Sequence, residues 1–459
     1  MLERIFKLKD LRTDVKTEFL AGLTTFLTMS YIIFVNPLFL SFFGESQFKD
    51  LALPFSASMT ATCLAAAAMC ILMGLCTNYP FALAPGMGLN AIVAYQLVLG
   101  MGLSWPSAMG VIVIVGLIIT FLVITGFREA VMNSIPMSLK QAISVGIGLF
   151  LAFIGLKEGG FIKANPSTFV TLGDFTKLPI LVSFLGLIIT AVLIKKKVKG
   201  ALLIGIVAST CIALILNYFS GFTAYTSSAY ARLPQKVIST PDFSTIGHFD
   251  FGIFAKVGFI SAVVVIFSIM LSDFFDTLGT VIGIGGEGKF LTPEGKLPKI
   301  KQVLLVDSIA AAVGGATSAS SVTTYIESAA GISVGGRSGL TNIFVGILFI
   351  LAIFFSPVAG IIPKEATAPA LIIVGFLMLP IIKEIPFNKF EEAFPAFLIM
   401  IVMPLTYSIS NGIGAGFILF TLIKLLTGKA KEVHWLMYIV SLAFAVDFMI
   451  PVLKMIFKF

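Results

Sequence analysis

Apolar residues dominate the chain in long runs, and short polar segments separate these runs. A membrane-spanning helix needs about 20 apolar residues, and by this measure the pattern predicts fourteen spans that end near residue 428. The segments are 19–42, 55–75, 79–99, 108–125, 135–156, 180–194, 201–218, 257–284, 303–313, 320–342, 340–355, 368–382, 394–409 and 413–426. A last apolar run, 435–456, is either an extra span or an interfacial helix. The pattern predicts an all-α polytopic membrane protein.

One segment is unusually polar for a chain of this kind. Residues 320–342 read SSVTTYIESAAGISVGGRSGLTN and contain one carboxylate, Glu327, and one guanidinium, Arg337. The β-prone triplet Val322–Thr324 precedes small residues, which predicts extended backbone leading into a short helix from Ser328 to Ile332. Such backbone is tolerated in a membrane only where protein buries it or where it lines a cavity. We therefore interpret this segment as the substrate site of a transporter; the alternative is a polar loop between two spans.

Composition excludes several classes of function. Of the 459 residues, 58% are hydrophobic and 12% are charged, about half the charged share of a soluble protein. The net charge of +8 comes from basic residues in short loops. These indicate a cytoplasmic N-terminus rather than nucleic-acid binding. The cysteines and the two histidines lack metal-ligand spacing, and no nucleotide-binding or catalytic motif is present. We expect no enzyme activity, no metal and no cofactor.

The two halves of the chain share a plan. The third apolar run has a proline-bracketed piece, PFALAP, followed by a glycine-rich helix start from Gly86 to Asn90. The third run after the long loop has the same plan at 320–332. Seven spans per half give the halves opposite orientations, and matched broken elements of an inverted repeat indicate the binding site. We expect a first repeat over 1–218, an extracellular loop over 219–254, a second repeat over 255–428 and a C-terminal stretch over 429–459.

Few ionisable groups lie inside apolar runs, and those few are functional candidates. Asp273 and Asp276 are three residues apart and share a helix face. Two such carboxylates resist joint ionisation, so we expect one of them to hold a proton near neutral pH. For Asp276 the alternative is a carboxylate that caps a helix or pairs with an arginine. We expect Asp307, placed near a helix end close to Lys301, to be structural.

The remaining site candidates surround the two broken elements. Asn90 follows Gly88 at the start of a half-helix, where its amide either contacts the substrate or serves as an N-cap. Thr324, Tyr325 and Ser328 surround Glu327 in the sequence. Paired half-helices would direct backbone N–H groups at a ligand from two sides, which suits a flat, uncharged ring. An anion would be expected to recruit a buried cation; the nearest one, Arg337, belongs to a loop by the glycine pattern around it.

Several motifs resemble one known family. They are TEFLAGLTTFLTMSYIIFVNP (17–37), APGMGLNA (84–91), SDFFDTLGT (272–280), TTYIESAAGI (323–332), GGRSGLTN (335–342) and MPLTYSISNGI (403–413). They resemble the adenine/guanine/hypoxanthine permeases, the AzgA-like branch of the nucleobase–cation symporters. The resemblance implies fourteen helices in two inverted repeats. It also implies a core domain of spans 1–4 and 8–11 and a gate domain of spans 5–7 and 12–14.

The resemblance also implies roles for individual residues. Glu327 matches the glutamate that hydrogen-bonds the base, and Asp273 and Asp276 match acidic positions used for substrate and proton coupling. Asn90 and its glycine loop match the half-helix that closes the site. The chain lacks the histidine that uracil permeases carry in the eighth span, so the carboxylates would take its proton role.

These inferences combine into one expected function. We expect a plasma-membrane purine nucleobase–proton symporter that works by elevator-like movement and forms a homodimer through its gate domain. One alternative is a transporter of the same fold for uracil, xanthine or an anion, and the other is a channel.

Overall fold

The computed structural model describes residues 2–126, 134–225, 230–292 and 297–457, and most of these residues are helical. The α-helices are α1 (Leu2–Phe6), α2 (Val15–Met29), α3 (Ile32–Leu40), α4 (Phe55–Thr77), α5 (Met87–Ala91), α6 (Trp105–Thr125), α7 (Met137–Glu158), α8 (Leu178–Lys195), α9 (Ala201–Phe219), α10 (Ile253–Val257), α11 (Phe259–Glu287), α12 (Ile300–Ala316), α13 (Ser328–Ser333), α14 (Leu340–Ala352), α15 (Ser356–Ala359), α16 (Lys364–Met378), α17 (Phe390–Thr406), α18 (Ile409–Leu426) and α19 (Trp435–Phe457). A π-helix, Ile92–Gly100, continues α5, and a 3₁₀ helix, Leu379–Glu384, continues α16. The strands are β1 (Leu83–Pro85), β2 (Ile162–Asn165), β3 (Phe169–Leu172) and β4 (Val322–Thr324).

The helical pattern confirms the prediction of an all-α polytopic membrane protein. Within the four described ranges, nine helical segments have the length and the apolar composition needed to cross a membrane. The shorter apolar helices include the α5–π-helix segment and the first part of α11. Helical segments occur at thirteen of the predicted runs, and at the remaining one, 320–342, strand β4 precedes α13 as the sequence predicts.

A short antiparallel ladder joins the two predicted broken elements. Strand β1 pairs with β4 in the register Leu83↔Thr324, Ala84↔Thr323 and Pro85↔Val322. Each strand leads directly into a short helix, α5 after β1 and α13 after β4. Residues of both strands are buried in protein. The ladder supplies hydrogen-bond partners for their backbone groups, which lipid could not provide.

The helices pack into two bundles. The first, called here the strand bundle, contains β1, β4, the π-helix, α2–α6 and α11–α14. The second, called here the partner bundle, contains α7–α9 and α16–α18. Helices within the strand bundle approach closely at small residues: a Cβ on Gly116 would overlap the backbone nitrogen of Ala312. Helix association in membranes relies on such contacts, which makes each bundle a tightly packed unit.

The last apolar run forms helix α19, which packs against α18 and α11. The hydroxyl groups of Thr421 and Ser441 are 2.7 Å apart, and Ser441 also donates to the backbone oxygen of Phe417 at 3.0 Å. The ring of Phe444 packs edge-on against that of Phe417. Helix α19 therefore contacts one helix of each bundle.

Candidate functional site

A cavity of about 770 Å³ lies between the two bundles and ends at the broken elements of the strand bundle. Ligand sites of small molecules have volumes of this order. The strand bundle contributes most of the polar lining, from α11, from the start of α5 and from the β4–α13 connection. The partner bundle contributes a mainly apolar wall from α7 and α16, including Ile147, Leu151, Val374 and Met378. The cavity thus offers one polar and one apolar face.

Helix α11 presents one continuous polar stripe to the cavity. Its lining residues are Ser272, Asp276, Thr280 and Gly283, and spacings of four, four and three residues place them on one helix face. Asp276 lies in the interior of α11 and not at its end, so the helix-cap alternative for this residue is wrong. The stripe brings the Asp276 carboxylate into the cavity lining together with Glu327.

Glu327 has a defined partner across the cavity wall. The hydroxyl group of Tyr31 donates a hydrogen bond of 2.7 Å to Glu327 Oε1. Tyr31 lies at the break between α2 and α3, and its side chain is 1% exposed. A second contact, from Thr28 Oγ1 to the Glu327 backbone oxygen at 3.4 Å, comes from the last turn of α2. Span 1 therefore orients the glutamate. Among the described residues its side-chain hydrogen bond goes to Oε1, which leaves Oε2 for a ligand.

Asp307 holds strand β4 in place. The expectation that it lies near a helix end beside Lys301 was wrong. Asp307 lies mid-way along α12 and is 3% exposed. Its carboxylate accepts from Thr277 Oγ1 at 2.6 Å, from Thr324 Oγ1 at 2.7 Å and from the Thr324 N–H at 2.8 Å. These bonds join α11 and α12 to β4, so Asp307 positions the strand that precedes Glu327.

The structure places five of the predicted site residues in the cavity lining. These residues are Gly88, Asp276, Thr324, Tyr325 and Glu327. Tyr31, Thr323, Ser272 and Thr280 also line it. Tyr31 occurs in a motif that pointed to the family, yet nothing in its sequence position assigned it to the glutamate. The interruption of the helix between α2 and α3 places Tyr31 beside Glu327.

The other three predicted residues lie behind the lining. Asp273 is 1% exposed, and its Oδ1 accepts a hydrogen bond of 3.0 Å from Ser321 Oγ. Ser328 Oγ donates to the Tyr325 backbone oxygen at 2.7 Å and accepts from the Ala82 N–H at 2.9 Å. Both residues fasten the ladder and its flanking turns. Their observed contacts are those of positioning residues.

Asn90 is also buried behind the lining, at 0% exposure. It is not an N-cap, because α5 begins at Met87 after Gly86, so that alternative is wrong. Within the described residues its side-chain oxygen and nitrogen have no hydrogen-bond partner. Buried polar atoms of this kind are uncommon in folded proteins. Asn90 therefore stays a candidate substrate residue, one that would need a shift of α5 to reach the cavity.

Backbone N–H groups face the cavity from one half-helix rather than from two. The start of α5, Gly86–Leu89, lines the cavity. The Gly86 N–H donates to the Ser321 backbone oxygen at 2.9 Å, whereas the next N–H groups, from Met87 to Leu89, have no acceptor within the helix. At α13 the N–H groups of Ser328, Ala329 and Ala330 donate to backbone oxygens of the preceding turn. The expectation that two helix N-termini converge on the cavity therefore holds for α5 and fails for α13. On the α13 side the Glu327 side chain lines the cavity instead.

Exposed residues of the lining mark the cavity mouth at one end of the bundle interface: Met137 is 65% exposed, and Glu384 is exposed as well. The mouth is bordered by Met137, Lys140, Gln141 and Glu384. Gln141 Nε2 donates a hydrogen bond of 2.8 Å to Glu384 Oε2 and so joins α7 to the 3₁₀ helix after α16. Across the described ranges no cluster of histidine, cysteine and acidic side chains could hold a metal ion. The cavity lining as described combines hydrogen-bonding side chains with an apolar surface.

Comparison with known proteins identifies sequence relatives over nearly the whole chain. A family model described as "Permease family" (Xan_ur_permease) matches residues 16–415. The guanine/hypoxanthine permease PbuG of Bacillus subtilis is 42% identical over 451 residues, covering 97% of this chain and 99% of that protein. The adenine permease AdeP of Escherichia coli is 41% identical over 444 residues, covering 97% and 95%.

Solved structures of transporters share the fold. The transmembrane domain of the bicarbonate transporter BicA from a cyanobacterium superposes with a TM-score of 0.62 at 16% identity, covering 86% of this chain and 96% of that one. The murine Solute Carrier 26 family member A9 anion transporter superposes with a TM-score of 0.60 at 10% identity, covering 90% and 68%. At such identities the likeness establishes the arrangement of helices and nothing about the ligand.

Proposed function

The chain belongs to the permease family, and from this premise we propose that it carries purine nucleobases across a membrane. The observation that supports the proposal most strongly is identity of 41–42% with adenine and guanine/hypoxanthine permeases along almost the entire chain. The cavity suits such a ligand: a flat ring would rest on the apolar wall of α7 and α16. Its polar edge would meet Glu327 and the first turn of α5.

The donor and acceptor groups of the polar wall fit a neutral heterocycle. Glu327 would accept from a ring N–H, and the N–H groups of Gly88 and Leu89 would donate to a ring nitrogen or to an exocyclic oxygen. Asp276 would hold the coupled proton or exchange it with Glu327 and Asp273, so that purine and proton move together. Support for proton coupling comes from acidic groups in a membrane-buried cavity, where an unpaired charge is costly.

We propose that the strand bundle is the mobile core of spans 1–4 and 8–11, and that the partner bundle is the gate of spans 5–7 and 12–14. Elevator-like movement of the core along the gate would expose the cavity on alternate sides. A plasma-membrane location, a cytoplasmic N-terminus and a homodimer formed through the gate belong to the same proposal. The basic short loops support this orientation.

The cavity disfavours an anion as the ligand. Its described lining contains three carboxylate side chains, Asp276, Glu327 and Glu384, against one ammonium group, Lys140. Lys140 lies near the mouth at the start of α7, whereas Asp276 and Glu327 lie at the polar wall. An anion would be repelled by the carboxylates of the polar wall. The chain therefore shares the fold of anion transporters but not their kind of ligand.

The function is tested by uptake into cells that lack their own purine permeases. Radiolabelled hypoxanthine and adenine are offered with and without an uncoupler, and unlabelled uracil, xanthine and bicarbonate are added as competitors. We expect saturable uptake of at least one purine that collapses on uncoupling and resists the three competitors. Current without saturable uptake would indicate a channel, and competition by uracil or xanthine would reassign the substrate.

A further inference from the structure

Charged residues cluster at the end of the molecule opposite the cavity mouth. Helix α7 is 22 residues long, about 33 Å, so Glu158 at its end lies far from Lys140 and Gln141 at its start. Helix α16 runs the other way, from Lys364 to the 3₁₀ helix that ends at Glu384 near the mouth. The partner bundle therefore gathers Glu158 and Lys364 at this second end, called here the closed end.

Glu158 is the centre of the cluster and is contacted from both bundles. Its side chain is 1% exposed, and its two carboxylate oxygens lie 2.7 Å from Lys157 Nζ and 3.1 Å from Lys364 Nζ. These three residues all belong to the partner bundle. The hydroxyl group of Tyr95, on the π-helix of the strand bundle, donates to Glu158 Oε1 at 3.1 Å. One hydrogen bond to a buried charge thus crosses between the bundles.

A second crossing comes from Glu45, in the connection between α3 and α4 of the strand bundle. Its Oε1 lies 3.3 Å from Lys364 Nζ and 3.9 Å from Lys157 Nζ. Burial by itself would raise the pKa of the Glu45 carboxyl. The ammonium groups of Lys157 and Lys364 act in the opposite direction, and the pKa is lowered overall. The Glu45 carboxylate therefore interacts with both lysines of the partner bundle.

A third crossing uses the residue next to Tyr95. Gln96 Nε2 donates to Ser410 Oγ at 2.7 Å, and Gln96 Oε1 accepts from the Ile409 N–H at 3.0 Å. Gln96 is 3% exposed, and Ile409 is the first residue of α18 in the partner bundle. The amide therefore satisfies N–H groups that α18 leaves without an intrahelical acceptor. Both Tyr95 and Gln96 lie on the π-helix, a form often associated with functional sites.

We propose that Glu45, Tyr95 and Gln96 form a latch that holds the closed end shut while the cavity is open at its mouth. The proposal rests on the function proposed above, because only a transporter needs its site to open at both ends in turn. All three crossings join the same two bundles that border the cavity, so none of them can persist when the bundles separate at this end. The groups are polar and can be hydrated after they part, which makes the closure reversible.

The first test prevents the latch from opening. The exposed native cysteines are replaced (Cys76→Ser, Cys211→Ser), and a pair is introduced by Glu45→Cys and Lys364→Cys. A short bifunctional methanethiosulfonate then joins the pair, and mass spectrometry quantifies the cross-link. We expect hypoxanthine or adenine uptake to fall in proportion to cross-linking and to recover with reductant. Full uptake by fully cross-linked protein would overturn the proposal.

The second test weakens the latch and needs no substrate. Ser144 lines the cavity on α7, and Ser144→Cys reports how often the cavity is open to a thiol reagent. Glu45→Gln, Tyr95→Phe and Gln96→Leu should each slow its labelling, because the closed end then opens more often. Losing one of these hydrogen bonds should shift the equilibrium between the two states about fivefold. Unchanged labelling in all three variants would contradict the latch.

A matched control lies within one bundle. Glu391 contacts Lys424 at 3.7 Å and also pairs with Lys429, and Glu391 and Lys424 belong to helices α17 and α18 of the partner bundle. Glu391→Gln removes a similar charge without touching the interface between bundles, so Ser144→Cys labelling should match that of the parent. If the parent protein moves no purine, the proposed function fails, and the labelling comparison still decides whether the latch exists.

Discussion

At the residue scale, Glu327 is the group on which recognition depends. We predict that Glu327→Gln lowers the apparent affinity for purine about 10- to 100-fold, because hydrogen bonds to charged groups contribute about 1.5–3 kcal/mol. The Tyr31 contact to Oε1 can be kept by an amide oxygen, so the fold should be unaffected. The measurement is the concentration dependence of labelled purine uptake, normalised to the amount of protein in the membrane. Glu392→Gln, on the first turn of α17, is the control.

Tyr31 allows a milder test at the same scale. Tyr31→Phe removes one hydrogen bond to Glu327 and preserves the buried ring, so we predict about a fivefold rise in KM, equivalent to about 1 kcal/mol. Uptake kinetics measure this change. A wild-type KM in Tyr31→Phe would show that the orientation of Glu327 does not depend on the hydroxyl group.

Some residue roles could be predicted from the sequence and others could not. Glu327 stood out because a lone carboxylate among apolar spans is costly unless it is used. Asp273 and Asp276 share a helix face, but three residues along a helix leave their directions about 60° apart. One carboxylate faces the cavity and the other faces Ser321. Asp307 was misplaced because no sequence pattern shows that Thr277 and Thr324 come to it from other elements.

At the scale of elements, the start of α14 depends on a carboxylate from span 1. Glu18 is 0% exposed, and it accepts hydrogen bonds from the N–H groups of Arg337, Ser338 and Thr341. Arg337 and Ser338 precede α14 and Thr341 lies in its first turn, and α14 packs beside α2. Glu18 therefore joins the start of α2 to the start of α14 and satisfies N–H groups that have no acceptor within α14.

We predict that Glu18→Ala strongly destabilises the protein, because each buried donor left without a partner costs about 1–3 kcal/mol. Asp14→Ala is the matched comparison. Asp14 caps α2 through a single bond of 2.8 Å to the Thr17 N–H, and losing one exposed cap leaves no buried donor without a partner. Thermal unfolding of detergent-purified protein should show a much larger fall in Tm for Glu18→Ala. Equal shifts would mean that the Glu18 bonds contribute no more than an exposed cap.

The broken elements could be located from the sequence, but their pairing could not. The triplet Val322–Thr324 and the piece PFALAP both have β-prone or proline-bracketed composition, and they form β4 and β1. The register of the ladder depends on side chains such as Ser328 that bond across it. The first N–H groups of α13 donate to backbone oxygens of the preceding turn, and this turn also depends on tertiary structure. The expectation that the N-terminus of α13 offers free N–H groups was therefore wrong.

At the scale of the whole molecule, the exposed residues that border the cavity mouth lie at the start of α7, where Met137 is 65% exposed. With a cytoplasmic N-terminus, the start of α7 and hence the mouth lie on the cytoplasmic side. We predict that a membrane-impermeant thiol reagent labels Ser144→Cys, in a Cys76→Ser, Cys211→Ser background, much faster in inside-out vesicles than in intact cells. Hypoxanthine or adenine should slow the labelling, because the base would occupy the cavity that Ser144 lines. Faster labelling in intact cells would reverse the proposed orientation.

The most direct test of the central claim uses the purified chain in proteoliposomes with an imposed pH gradient, acidic outside. We predict that labelled hypoxanthine or adenine accumulates above equilibrium, that an ionophore dissipating the gradient abolishes accumulation, and that Glu327→Gln removes most of it. Accumulation that persists without the gradient, or that is unaffected by Glu327→Gln, would contradict proton-coupled purine transport through this cavity.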